Sequence, residues 1–171
     1  VLAFDAASGR ELWRTDLAPE GEERDDGHGG GVAIADGVLV ATTGFGEMLG
    51  LAPATGEILW RVAAEAPFRA PPAAADGLAV AVTRAHEAVA VELATGARLW
   101  SAASVIDRPG ALPGAAPALA TGVVAAPFGS GELQLLRAGT GLRIWGQALI
   151  SPASASGLAA FPDVTSAPVI G

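Results

Sequence analysis

Of the 171 residues, 51% are hydrophobic and 16% charged, a balance that supports a folded core and excludes a disordered chain. Ten cationic residues, all Arg, against eighteen acidic ones leave a formal net charge of −8 with no basic cluster, which excludes a surface built to track phosphates. Cys, Lys and Asn are absent, so disulfides, thiolate metal sites, a P-loop lysine, a Schiff base and N-glycosylation are excluded within these residues.

No apolar run approaches eighteen residues without Gly, Pro or charge, so no membrane-spanning helix is expected. The first residues lack a signal-peptide pattern, and Val1 already falls in an expected strand. The chain therefore reads as a piece of a longer one, with any targeting segment upstream.

In chain order, residues 2 to 17 read as the last hairpin of a repeat unit, with a turn at Asp5 to Gly9 between Val1 to Phe4 and Arg10 to Arg14. The polar segment Ala18 to Gly31 carries five acidic residues but lacks the alternating ligands and closing Glu of a calcium loop, so it reads as a solvated loop. A full unit follows: Val32 to Ile34, the turn at Asp36-Gly37, Val38 to Thr42, the turn Gly44 to Glu47, Met48 to Leu51, Ala54-Thr-Gly56 and Glu57 to Arg61. Short β-rich runs joined by Gly-containing turns predict four antiparallel strands. The same order recurs from Ala73 to Ser101 and from Ala116 to Gly146, and Ala167 to Ile170 matches the first strand of another unit.

The landmarks of this repeat are a turn Gly at Gly9, Gly56, Gly96 and Gly141, followed four residues later by Trp13, Trp60, Trp100 and Trp145. The four tryptophans are spaced by 47, 40 and 45 residues, a period that reads as a propeller blade. The expected fold is all-β, a β-propeller of four-stranded antiparallel blades, about four of them and too few to close a ring. The expected divisions are 1–26 for the end of one blade, 27–68, 69–108 and 109–152 for three blades, and 153–171 for the start of the next. Strands such as Leu78 to Val82 and Ala88 to Val91 are apolar on both faces, as sheets covered on both sides require. Their alternation of Ala with Val predicts one shallow face for close stacking, with each Trp filling the space between blades. The turn Gly is expected at positive φ, with Asp5 bonding its turn backbone rather than acting in catalysis.

No catalytic constellation emerges. His28-Gly-Gly-Gly31 matches the oxyanion segment of some esterases, but no G-x-S-x-G nucleophile elbow accompanies it, so it reads as a run leading into a strand. Gly44 to Gly50 is one residue too long for a dinucleotide fingerprint and lies between strands, where no helix N-terminus can receive a pyrophosphate. His86 has no second His at metal-ligand spacing and reads as exposed. Glu47, Glu87 and Glu132 recur at equivalent turns, which marks them as a repeat feature rather than an acid/base pair. Catalytic, cofactor-binding and metal-binding residues are accordingly expected to be none.

The pattern A-x-D-x-x-[ST]-G-x-x-x-W, complete in Ala3 to Trp13, resembles the pyrroloquinoline-quinone-type propeller repeat. Gly29 to Gly37, Ala41 to Gly46, Arg69 to Pro72, Gly114 to Pro117, Phe128 to Leu133 and Phe161 to Val169 are similar to the BamB family of outer-membrane assembly lipoproteins. That resemblance implies an eight-bladed ring, no enzymatic activity, no cofactor, and a periplasmic scaffold attached to the outer membrane by a lipid outside these residues. It also implies binding to BamA and other assembly subunits, with nascent outer-membrane proteins as further partners. The family's BamA-contacting Leu-x-Leu-Arg corresponds by register to Pro109 to Leu112, where neither the Leu pair nor the Arg is reproduced; Leu112 and the neighbouring cation Arg108 are the candidate contacts there. Its Asp-x-Asp falls at Asp163 to Thr165, with Asp163 kept and Thr165 replacing the second Asp. The alternative user of the repeat is the quinoprotein dehydrogenases, whose Asn ligand and vicinal Cys pair have no counterpart in this sequence.

Overall fold

The computed structural model describes residues 1–23, 27–106, 114–149 and 166–170. Every regular element among them is a strand. A two-stranded hairpin of β1 (Leu2–Phe4) and β2 (Glu11–Arg14) precedes three four-stranded antiparallel meanders. These are β3 (Gly30–Ala35), β4 (Val38–Thr43), β5 (Glu47–Leu51) and β6 (Ile58–Ala63); then β7 (Ala73–Ala75), β8 (Leu78–Val82), β9 (Glu87–Glu92) and β10 (Arg98–Ala103); then β11 (Ala118–Ala120), β12 (Val123–Pro127), β13 (Glu132–Arg137) and β14 (Arg143–Ala148). The first strand β7 neighbours both β3 and β11, so consecutive sheets stack face to face as blades of an open propeller segment.

Tight turns set the strand order. Asp36-Gly37 and Asp76-Gly77 have positive φ at both residues, the geometry whose twist matches a two-residue hairpin. Asp tolerates this region because its short polar side chain bonds locally.

The interior consists of the spaces between sheets. Val38, Val40, Met48 and Trp60 pack against Ala79, Ala81, Val89 and Val91 of the next sheet. The opposite face of that sheet, with Leu78, Val80, Val82, Ala88 and Ala90, packs with Val124, Ala126, Phe128 and Leu136. Thus β8 and β9 are covered on both sides, as their sequence predicts. The expectation of one shallow face needs correction, because the small residues are shared. Cross-strand partners Ala79 and Val91, Val80 and Ala90, and Ala81 and Val89 each combine one Ala with one Val. Each sheet face therefore has a nearly constant depth, which suits close stacking on both sides.

In all four units the last hairpin carries a register shift just before the Trp. Trp13, Trp60, Trp100 and Trp145 and the residues two before them pair with adjacent residues across the hairpin, leaving Leu12, Leu59, Leu99 and Ile144 unmatched. Such a one-residue bulge sharpens the local twist and re-aims the neighbouring side chain.

Candidate functional site

The places where one sheet meets the next are built from two devices. The first joins each Trp to the following unit. Trp13 Nε1 donates to the Pro53 carbonyl at 2.9 Å, Trp60 Nε1 to Leu93 at 2.9 Å and Trp100 Nε1 to Ala138 at 2.7 Å. Each acceptor lies three residues before the turn Gly of the next unit, and the same indole covers that Gly. A Cβ on Gly56, Gly96 or Gly141 would fall 2.4, 2.7 or 2.6 Å from the ring of Trp13, Trp60 or Trp100 respectively. These glycines have φ of +74°, +74° and +69°, and Gly9 has +69°. Of the repeat residues expected to be structural, Trp13, Trp60 and Trp100 with Gly56, Gly96 and Gly141 are therefore two halves of one joint, whereas Gly9 has no atom near its Cβ position and Trp145 is half exposed rather than filling a space between sheets. Asp5 serves its own turn, accepting from Ser8 N–H at 2.8 Å and Ser8 Oγ at 2.6 Å. The Ser8 hydroxyl first, and then the Ser8 amide, hold the Asp5 carboxyl below its ordinary value.

The second device involves the recurring glutamates at the start of each third strand. Glu47 pairs with Arg61 of its own sheet, and Glu87 lies 3.5 Å from Arg98 of its own sheet. Glu132 differs. Its side chain is only 2% exposed, with Arg143 at 3.8 Å, and its Oε2 accepts from Ser104 Oγ at 2.7 Å and from the Val105 N–H at 2.9 Å, both beyond the end of β10 in the preceding sheet. Ser130 Oγ lies 2.8 Å from Ser104 Oγ, and Gln134 Nε2 donates to the Ala103 carbonyl at 3.2 Å. Burial opposes the Glu132 charge, but the bonds from Ser104, Gln134 and Val105, with Arg143 nearby, outweigh it and hold the carboxyl below its ordinary value.

Sequence reasoning singles out Glu132 only as a repeat member and misses Ser104, Ser130 and Gln134. A signal was available. Ala64 and Ser104 occupy equivalent positions, since Ala64 N–H donates to Gly46 O and Ser104 N–H to His86 O, yet only Ser104 has a hydroxyl to offer. His86 is half-buried rather than exposed, at φ +60°, in the turn whose carbonyl receives that Ser104 bond. His28 is exposed, and its carbonyl accepts from Arg69 Nη1 at 3.2 Å.

The expected partner contacts Arg108, Leu112, Asp163 and Thr165 lie outside the described residues. Among the described residues no group of three or more His, Cys, Asp or Glu comes together to hold a metal. A groove of about 400 Å³ lies between the first hairpin and the next sheet, bordered by Arg14, Asp16, Gly30, Thr42 and Phe45. Its lining mixes glycines and threonines with the charged Arg14 and Asp16 and the ring of Phe45.

Stacked four-stranded meanders, each keyed to the next through a Trp and a turn Gly, define an open segment of a PQQ-repeat β-propeller. The chain belongs to the family described as outer membrane protein assembly factor BamB, whose profile matches residues 1–171. No curated protein is similar enough in sequence to count as a relative. Among solved structures, BamB from Moraxella catarrhalis is similar with a TM-score of 0.65 and 24% identity over 81% of this chain and 40% of that one. A quinohemoprotein alcohol dehydrogenase from Pseudomonas putida has a TM-score of 0.59 and 21% identity over 67% of this chain and 19% of that one. The computationally designed Ika8 protein has a TM-score of 0.67 and 16% identity over 95% of this chain and 44% of that one. The chain thus spans less than half the length of each, and these likenesses concern the fold.

Proposed function

We propose that this chain is part of a non-enzymatic scaffold of the β-barrel assembly machinery, which docks BamA and supports the folding and insertion of outer-membrane proteins. The observation that carries this reading is the match of the whole chain to the outer-membrane assembly family. The regular joints are consumed by packing, since each internal Trp and turn Gly is already engaged with its neighbour. Recognition then falls to the residues outside those joints, around Arg108 to Leu112 and Asp163 to Thr165. With blade divisions at 1–26, 27–68, 69–108, 109–152 and 153–171, the first of these falls at a division between blades and the second within the start of the last one. The scaffold would work at the periplasmic face of the outer membrane, held there by a lipid anchor outside these residues.

The test is capture of purified BamA by full-length protein carrying Asp163→Arg together with Leu112→Ala. Weakened capture with an unchanged thermal midpoint is expected. Unchanged capture would remove these residues from the interface. The likeness to quinohemoprotein dehydrogenase structures keeps one enzymatic alternative in view. Dye-linked alcohol oxidation by the full-length protein on addition of pyrroloquinoline quinone and calcium would establish that alternative instead.

A further inference from the structure

Consecutive sheets are joined in two different ways. The connection from β6 to β7, residues 64–72, is stitched mainly by backbone: Phe68 N–H donates to Thr43 O on one side, Arg84 N–H donates to Pro67 O on the other, and the Phe68 side chain is fully buried. The connection from β10 to β11, residues 104–117, is five residues longer and starts under a different restraint. There, Ser130, Glu132 and Gln134 of the following sheet all reach back to residues 103–105, and all three are buried. Ser104 Oγ also receives the Ile106 N–H at 3.1 Å, so three successive residues leaving β10 are tied to one hydroxyl and one carboxylate.

A buried carboxylate is a costly way to hold two sheets together, because its desolvation must be offset by well-formed bonds, whereas the apolar and backbone contacts of the preceding connection avoid that cost. What charged bonds add is direction, since they weaken steeply when misaligned. The feature they direct is Val105. Its N–H is bonded by Glu132 while the residue is 67% exposed, an apolar residue turned to solvent beside an anchored backbone.

We propose that Glu132, with Ser104, Ser130 and Gln134, is a buried polar clamp that positions Val105 as an apolar contact for BamA. This rests on the docking reading above, and it adds a contact residue and its positioning device just ahead of Arg108 and Leu112 in sequence. Glu132 acts as a positioning residue, and Val105 touches the partner. Ordering the segment before binding lowers the entropic cost of association, so the clamp contributes to affinity without touching the partner.

The experiment uses three variants of the full-length protein, Glu132→Leu, Val105→Asp and the milder Ser104→Ala, with amide hydrogen exchange at Val105 and the Kd for purified BamA as readouts. Glu132→Leu is expected to speed exchange at Val105 by roughly ten-fold or more and to raise the Kd by about ten-fold. Val105→Asp is expected to raise the Kd similarly and to leave exchange at Ser104 unchanged, because it alters an exposed side chain and none of the bonds that hold the backbone. Ser104→Ala gives the same direction as Glu132→Leu and decides the question if the latter fails to fold. Unchanged exchange in the Glu132 and Ser104 variants overturns the clamp. Faster exchange with an unchanged Kd, or a Val105→Asp variant that binds normally, overturns its link to docking. If the unaltered protein does not bind BamA, the docking reading fails and takes the partner role of Val105 with it, while exchange at Val105 still reports whether the clamp exists.

Discussion

The indole of Trp60 occupies the space that a side chain on Gly96 would need. A Cβ there would lie 2.7 Å from Trp60 Cδ2, and Trp60 Nε1 donates to Leu93 O in the same turn at 2.9 Å. The relationship fixes the distance and the rotation between two sheets at once, because the ring has to lie flat on the turn for its N–H to meet the carbonyl.

Gly96→Ala meets both a steric conflict and a backbone penalty, since φ is +74°. It should cost about 2–4 kcal/mol. Gly9→Ala has the same backbone problem at φ +69° but no atom within 4 Å of the new Cβ, so about 1–2 kcal/mol is expected. Urea denaturation of the two variants checks the difference, and equal losses would remove the steric part of the joint.

Trp60 is 8% exposed and Trp145 is 45% exposed. Trp60→Ala should therefore destabilise by about 3–5 kcal/mol through the cavity it leaves. Trp145→Ala should cost less than about 1.5 kcal/mol because much of its surface is already in water. Trp60→Phe keeps most of the volume but strands the Leu93 carbonyl, for a loss of about 1–3 kcal/mol. Thermal unfolding followed by circular dichroism ranks the three.

Glu132 titrates below its ordinary value of 4.5 in the folded protein. A lowered folded pKa means that the unfolded chain binds the proton first, so the contribution of Glu132 to stability is complete above the ordinary value and is lost as pH falls through the folded one. Denaturant midpoints of the parent and Glu132→Gln should differ by a constant amount from pH 8 to about pH 5.5 and converge in acid. A difference that persisted undiminished in strong acid would contradict this assignment.

Asp36 sits at φ +46°, and its Oδ2 receives the Gly77 N–H of the next sheet's turn at 2.9 Å. Asp36→Asn keeps the tolerance for positive φ and an acceptor, and should stay within about 0.5 kcal/mol of the parent. Asp36→Val loses the bond and places a β-branched residue at positive φ, for about 2 kcal/mol. Chemical denaturation distinguishes them.

Local pattern alone was enough to read the unit and its punctuation. The strand runs, the Asp-Gly turns and the four Gly and Trp landmarks are governed by alternation and by turn stereochemistry, and they could be read without knowing what lies opposite. The all-β class and the stacking of sheets covered on both faces followed from them. What each landmark touches emerges only in the packed fold, because the partners of Trp13, Trp60 and Trp100 lie 40, 33 and 38 residues away and depend on the rotation between sheets. The three glutamates look alike in sequence and each has an arginine of its own sheet nearby, but the fold separates them: Glu132 also reaches into the preceding sheet, where Ser104 offers a hydroxyl that Ala64, the position equivalent for Glu87, lacks.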